Sequence, residues 1–484
     1  MGTAMRQAID VGAAQDWRGE VRRLFDLQAG SRWPVSRTTA SERRKKLQRL
    51  KAALEKHRVA IAEGIRRDFG RSVEESEFIE IHPTIEELND AIAHVGEWMR
   101  PEPVEATLLL ADTASEIRWE AKGQVLVLAP WNYPVFLVLG PLVGAVAAGN
   151  VVIIKPSEKV PETNRALRAF LAEAFPENEV AMIEGEAQVA EALLELPFDH
   201  VFFTGSTRVG KLVMAAAARN LASVTLELGG KSPAIVAPDA VLDRAASAIA
   251  WGKFINVGQT CIAPDYVLVQ EGQRQTLLDG LRGALERSYG PESGWATNPE
   301  IARLVDSGAF ARVKGLVDDA VQRGAKVVAG GTANPAQRYL APTVLVDVPE
   351  DAPVLQEEIF GPVLPVVTYR TFEDALAYVR NRPKPLAMYV FSRSSGKVDE
   401  ALTETTSGGV CVNNTLVHLA NPGLPFGGIG PSGMGSYHGR AGFRTFSHER
   451  SVMRQQGNPL ARWLAPPYGA RMNRMVARLA RFLE

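Results

Sequence analysis

Between Lys122 and Lys155 the chain carries no charged side chain, a stretch long enough to cross a bilayer. Pro130, Asn132, Pro134, Pro141, Gly149 and Asn150 interrupt it and argue against one spanning helix. They divide it into a β-rich run at 124–129, a loop, an apolar helix at 135–148 and a second β-rich run at 151–154. A strand–helix–strand unit that is apolar on all sides belongs in the middle of an α/β sandwich.

Similar alternation fills most of the chain. Charged, Leu/Ala-rich runs at 41–69 and 74–99 read as covering helices, with Ser41 as an N-cap. Residues 107–120 alternate polar and apolar positions around Ala111-Asp112-Thr113, a projecting hairpin that is either an oligomer contact or simply solvated. Strands at 151–154, 200–203 and 224–228 with helices at 164–174 and 209–219 predict a doubly wound parallel sheet. Beyond Gly229-Gly230, read as a hinge, a second α/β stretch has strands at 234–236, 266–269, 327–328, 363–369 and 410–413. Its helices fall at 243–257, 273–287, 309–322 and 372–380. The Gly- and Pro-rich tract 421–442 reads as loop, although its Leu, Phe and Met residues predict packing. In the last segment, Arg471, Arg474, Arg478 and Arg481 share one helical face, and Met472, Met475, Val476, Leu479 and Phe482 another. That helix either caps a substrate entrance, touches a membrane surface or docks on a partner subunit.

Composition narrows the function. At 484 residues the chain predicts two or three domains. Its 54 basic and 55 acidic residues nearly cancel, leaving no electrostatic footprint for nucleic acid. Two cysteines, Cys261 and Cys411, make no disulfide framework, and no segment reads as a signal peptide, so a cytoplasmic setting is expected. The seven histidines show no ligand-like spacing, so no metal is expected.

Cys261 lies in Asn256-Val257-Gly258-Gln259-Thr260-Cys261-Ile262-Ala263-Pro264. A lone cysteine is commonly a small buried hydrophobe. Here Gly258 permits a sharp turn, and polar neighbours offer N–H groups that could lower the thiol pKa or hold an oxyanion. Glu227 closes an apolar strand, where burial should raise its pKa towards that of a general base, unless it turns into solvent. Trp131-Asn132-Tyr133 sets an amide donor between aromatic walls. Thr204-Gly205-Ser206 through Lys211 enters a helix N-terminus suited to phosphate. It matches the P-loop spelling except that Leu212 replaces the Ser or Thr that would reach magnesium, and it lacks G-x-G-x-x-G. Lys155-Pro156-Ser157-Glu158, at a strand end, reads equally as a ribose-binding pair or a solvated turn. Glu357-Glu358-Ile359-Phe360-Gly361-Pro362 in isolation reads as a site loop or a plain loop.

Taken together and in order, Pro130-Trp131-Asn132-Tyr133-Pro134, Lys155-Pro156-Ser157-Glu158, Phe203-Thr204-Gly205-Ser206, Glu227-Leu228-Gly229-Gly230-Lys231, Gly258-Gln259-Thr260-Cys261 and Glu358-Ile359-Phe360-Gly361-Pro362 resemble the aldehyde dehydrogenase superfamily. Pro425-Phe426-Gly427-Gly428-Ile429-Gly430 and the following Gly433-Met434-Gly435-Ser436-Tyr437-His438-Gly439 are similar to its class 3 branch. Cys261-Ile262-Ala263-Pro264-Asp265-Tyr266 is most similar to the bacterial coniferyl aldehyde dehydrogenases. The resemblance implies a doubly wound Rossmann-type NAD domain (1–101 and 124–228), an α/β catalytic domain (229–423), and an oligomerisation hairpin with a C-terminal tail (102–123 and 424–484). It implies NAD, with NADP possible, a homodimer, and oxidation of an aromatic or medium- to long-chain aldehyde to the acid. Cys261 would be the nucleophile, Asn132 an oxyanion donor, and Glu227 the base that activates water. Lys155 and Glu158 would meet the adenosine ribose, Gly205 and Ser206 the pyrophosphate, and Glu358 and Phe360 the nicotinamide riboside. Trp131, Tyr133, Phe136 and His418 would wall the substrate channel. Three rival readings remain: an NTP-binding protein built on Gly205–Lys211, a cofactor-independent thiol hydrolase with His200 or His418 as base, and a catalytically silent binding or structural protein that keeps the fold, against which the intact Cys261, Glu227 and Asn132 speak.

Overall fold

The computed structural model describes residues 17–107, 110, 112–457 and 466–483. Its first large sheet has six strands, in the order Gly433–Met434, Ser223–Glu227, His200–Thr204, Gln124–Leu128, Val151–Lys155, Val180–Met182. Apart from the antiparallel edge strand Gly433–Met434, every pairing is parallel. The order along the chain reverses between Gln124–Leu128 and His200–Thr204, and a doubly wound sheet opens its binding crevice at the carboxyl ends of such a pair.

The uncharged stretch folds as its pattern predicts. All residues of Gln124–Leu128, Val151–Lys155 and the intervening helix Phe136–Ala148 are buried. Each buried Val, Leu or Ile contributes roughly 1.5–3 kcal/mol relative to exposure, so the helix is held by its surroundings on all sides. The long helix Ala40–Phe69 covers this layer together with His82–Trp98 and Pro161–Ala174. Its N-cap is Thr39 rather than Ser41. Thr39 and Glu42 form a reciprocal capping box, and Ser41 already lies inside the first turn.

The second large sheet has seven strands, in the order Lys326–Ala329, Thr343–Val346, Val363–Tyr369, Tyr266–Gln270, Pro233–Val236, Ala387–Phe391, Gly409–Val412. Thr343–Val346 and Ala387–Phe391 are additions to the sequence reading. Both are short apolar runs, which periodicity alone does not assign. The helix expected at 243–257 is Leu242–Phe254, because Asn256 and Val257 turn to φ 50° and 46°.

The projecting arm is a three-stranded sheet of Glu102–Val104, Thr113–Ala121 and Ser447–Gln455. The expected hairpin at 107–120 is thus displaced: Thr113–Ala121 pairs with 102–104 and, on its other edge, along its whole length with Ser447–Gln455. Ala111 of the expected turn lies outside the described residues. The Gly-rich tract is packed rather than loose, with Phe426, Tyr437 and His438 buried, and it turns into the helix Gly439–Thr445. At the end, Ala470–Leu483 is helical, with Met475 and Val476 exposed. The side chains of Leu479 and Phe482 lie outside the described residues. Among the described residues no helix is long and apolar enough to cross a membrane.

Candidate active site

The crevice at the switch point is a cleft of about 550 Å³ that receives residues from both large sheets. Asn132, Gly205, Ser206, Glu227, Cys261, Glu358 and Phe360 all line it. Lys155 and Glu158 do not line it; they stand at the neighbouring strand end and pair with one another at 2.9 Å.

Glu227 ends its strand beside Thr204 on one edge and Gly433 on the other, so its backbone is fixed from both sides. Its carboxylate is buried and neither oxygen has a hydrogen-bond partner. Burial alone pushes its pKa well up, which makes the carboxylate a stronger base than a solvated one. Asn132, also buried, donates one side-chain N–H to the carbonyl of Gln259 at 3.1 Å. The amide's second N–H is left for a ligand.

Cys261 follows a tight turn. Gly258 has φ 73°, and a β-carbon there would sit 2.2 Å from the carbonyl oxygen of Gly361, so only glycine lets the cysteine loop approach the 358–361 loop this closely. The backbone N–H groups of Cys261 and Ile262 approach the sulfur, as expected. The thiol pKa nevertheless moves opposite to expectation. Burial, then the nearby carboxyls of Glu358 and Glu227, push it up to about 12, and this outweighs the two amides.

A cluster that the sequence reading left without a role fixes the Glu358 loop. Lys231 donates to the carboxylate of Asp265 at 2.5 Å and to the carbonyls of Glu357 at 2.7 Å and Val354 at 2.9 Å. The Ile359 N–H donates back to Asp265 at 3.2 Å, and Arg312 donates to the carbonyls of Glu358 and Ile359 at 3.2 and 2.6 Å. Lys231 closes the Glu227-Leu228-Gly229-Gly230-Lys231 motif and Asp265 lies four residues after Cys261, so their position next to functional residues was the available signal. Burial lifts the Glu358 carboxyl to about 8. Phe360 meets Trp131 edge to face at 5.4 Å.

Cys261 also lines a second cavity of about 160 Å³, walled almost wholly by apolar side chains, among them Ile79, Tyr133, Phe136, Leu137, Leu419 and Phe426. The thiol thus stands where an apolar channel meets the cleft. Two channel expectations need correction. Trp131 lines the cleft instead, and His418 stands behind the wall with its ring 6.2 Å from Phe426. Neither rival base reaches the sulfur's cavities. His200 is buried within its strand against Ser223 and Thr225, and neither it nor His418 lines the cleft or the channel. Lys211 is exposed on its helix away from the cleft lining, which removes the cation a P-loop requires.

The cleft suits a dinucleotide. Thr204 Oγ1, both Glu227 oxygens and Glu358 Oε1 are buried and unpartnered. Ser206 caps the helix Thr207–Ala218, whose first amides open the positive end of the helix to phosphate.

A doubly wound sheet, a second α/β layer and a thiol between an apolar channel and a dinucleotide-sized cleft define a dehydrogenase architecture, and comparison with known proteins agrees. The sequence model of the aldehyde dehydrogenase family matches residues 26–452, and the chain belongs to that family. It is 43% identical over 474 residues, 97% of this chain and 99% of the other, to a Pseudomonas aeruginosa protein named "Probable coniferyl aldehyde dehydrogenase". It is 43% identical to the rat "Aldehyde dehydrogenase, dimeric NADP-preferring", over 84% of this chain and 88% of that one. The solved "Substrate bound state of Staphylococcus Aureus AldH" superposes with a TM-score of 0.90 at 39% identity, covering 95% of this chain and 99% of the other. The protein is an NAD(P)-dependent aldehyde dehydrogenase with the fold of that family.

Proposed function

We propose that Cys261 is the nucleophile of this dehydrogenase, and that the enzyme oxidises uncharged aromatic or medium- to long-chain aldehydes to free carboxylic acids. One observation carries the reading: Cys261 alone, among the described residues, combines a thiol with a place in both the apolar channel and the cleft. The thiol must lose its proton to attack, and Glu227 shares its cleft with both carboxylate oxygens unpartnered. Sulfur adds to the carbonyl carbon, and the oxyanion of the resulting thiohemiacetal accepts hydrogen bonds from the Asn132 side chain and the Cys261 N–H. When bound, the nicotinamide supplies the hydride acceptor that turns this adduct into a thioester. Glu227, having passed the thiol's proton to solvent, then takes a proton from water, which attacks the thioester carbon and displaces the thiolate. The presence of this glutamate favours water over coenzyme A as the acyl acceptor.

In the same reading Gly205 and Ser206 hold the pyrophosphate, and Lys155 and Glu158 the adenosine ribose. Glu358 holds the nicotinamide ribose and Phe360 packs on its ring. The charge of Glu158 disfavours a 2′-phosphate, which supports NAD over NADP. The apolar channel supports an aldehyde without a charged body, and the name of the Pseudomonas relative supports a coniferyl-type substrate.

Among the described residues, two strands, Gly409–Val412 and Ser447–Gln455, end their sheets as unpaired edges. Such edges invite pairing with a second chain, which supports a homodimer. The exposed Met475 and Val476, on a helix that also carries Arg471, Arg474 and Arg478, support contact with an anionic membrane surface from a cytoplasmic setting.

The test is NADH absorbance with NAD and a panel of aliphatic and cinnamyl-type aldehydes. Turnover with apolar aldehydes is expected, and absence of NADH with every aldehyde would sink the proposal.

A further inference from the structure

The segment that presents Asn132 is gripped at both ends by one buried ion pair. Arg71 and Glu80 contact each other with both side chains wholly buried. Arg71 donates through Nε to Ser76 Oγ at 3.1 Å and through Nη1 to the carbonyl oxygen of Asn132 at 3.2 Å. Glu80 Oε2 accepts the N–H groups of Val135 at 2.7 Å and Phe136 at 3.1 Å. These are the first amides of the helix Phe136–Ala148, which has no side-chain cap of its own. A carboxylate from another element therefore supplies the anion that the helix N-terminus favours. One charge of the pair holds the chain at 132 and the other holds it at 135–136. Asn256 adds a second donor to the Asn132 carbonyl at 3.0 Å.

Glu80 reaches this place from a single π-helical turn, Glu77–Ile81. The wider turn sends Glu80 inward while Phe78 and Ile79 line the apolar channel; insertions of this kind recur at functional sites. A buried ion pair adds little net stability compared with apolar residues of the same shape. Its physical effect here is on where the loop sits.

We propose that Arg71 and Glu80 are positioning residues for the first chemical step. By fixing the backbone on both sides of Tyr133-Pro134, they aim the Asn132 side-chain amide at the oxygen of a substrate bound to Cys261. The proposal rests on Asn132 being the oxyanion donor.

The experiment is the pre-steady-state NADH burst of the full chain, with saturating NAD and aldehyde, in Asn132→Ala, Arg71→Lys and the double variant. Loss of one oxyanion donor costs about 10²–10³ in rate, so Arg71→Lys, which displaces the donor without deleting it, should slow the burst roughly 10–100-fold. The KM for NAD should stay within about two-fold. In the Asn132→Ala background the same substitution should cost less than about two-fold, because residues acting through one another are not additive. If Arg71→Lys does not fold, Ser76→Ala removes only one hydrogen bond from the guanidinium, and it should slow the burst about 2–5-fold in the wild-type background alone. Equal cost in both backgrounds would overturn the positioning role while leaving Asn132 as donor. An unchanged burst in Asn132→Ala would overturn the donor reading and this proposal with it.

Discussion

The carboxylate of Glu358 rests on the α-carbon of Gly229, so closely that a β-carbon there would lie 2.1 Å from a carboxylate oxygen. Gly229 is therefore glycine because of a close approach across the cleft, and not for a positive φ, since its φ lies outside the left-handed region.

It follows that Gly229→Ala folds but pushes the Glu358 carboxyl out of place. The expected outcome is a KM for NAD raised about 10-fold, roughly 1.4 kcal/mol, with the NADH burst amplitude retained. Calorimetric titration of NAD checks it, and an unchanged affinity would separate Glu358 from the cofactor.

The raised carboxyl of Glu358 also has a consequence for stability. Its pKa rises from 4.5 to about 8 on folding, so between those values the unfolded chain has lost a proton that the folded chain retains. Stability then falls as pH rises across that window and levels off above it. Glu358→Gln, which cannot ionise, should raise the melting temperature at about pH 8, by about 4 kcal/mol in stability, and leave it nearly unchanged near pH 4. Melting curves at the two pH values decide the matter.

The resting thiol of Cys261, pushed up to about 12, should be slow to alkylate without cofactor. Because only the thiolate reacts, the logarithm of the iodoacetamide rate should climb with unit slope from about pH 7 to pH 10. A plateau near the ordinary thiol value of about 8.5 would show that the two backbone amides outweigh burial.

Much of this site was legible in the sequence because its residues sit where strands end. Asn132, Gly205 and Glu227 each follow or close an apolar run, and a doubly wound sheet brings such ends to one crevice. The cysteine loop was legible through Gly258 and its small polar neighbours. Arg71 and Glu80 left no comparable mark, since their pairing depends on a π-turn, which has no sequence period, and on contacts with a helix more than fifty residues away, which periodicity does not register. The cap at Thr39 is spelled in Thr39-x-x-Glu42, whereas Ser41 has Arg44 three residues on and so no partner glutamate to complete a capping box. Trp131 and His418 were misplaced because aromatic composition does not tell one side of a wall from the other. The strand Ala387–Phe391, one place in from the edge of its sheet, was hidden by its brevity.

In the proposed reaction Cys261 carries the acyl group and Glu227 brings the water that removes it. Peptide mass analysis of Glu227→Gln, quenched after NAD and an apolar aldehyde have been added, tests this most directly. One NADH should be released per site, more slowly than in the unsubstituted enzyme because Glu227 also takes the thiol's proton, with steady turnover reduced by about 10³-fold or more and an acyl adduct on the peptide containing Cys261. A burst without that adduct, an adduct on another residue, or undiminished steady turnover in this variant would contradict it.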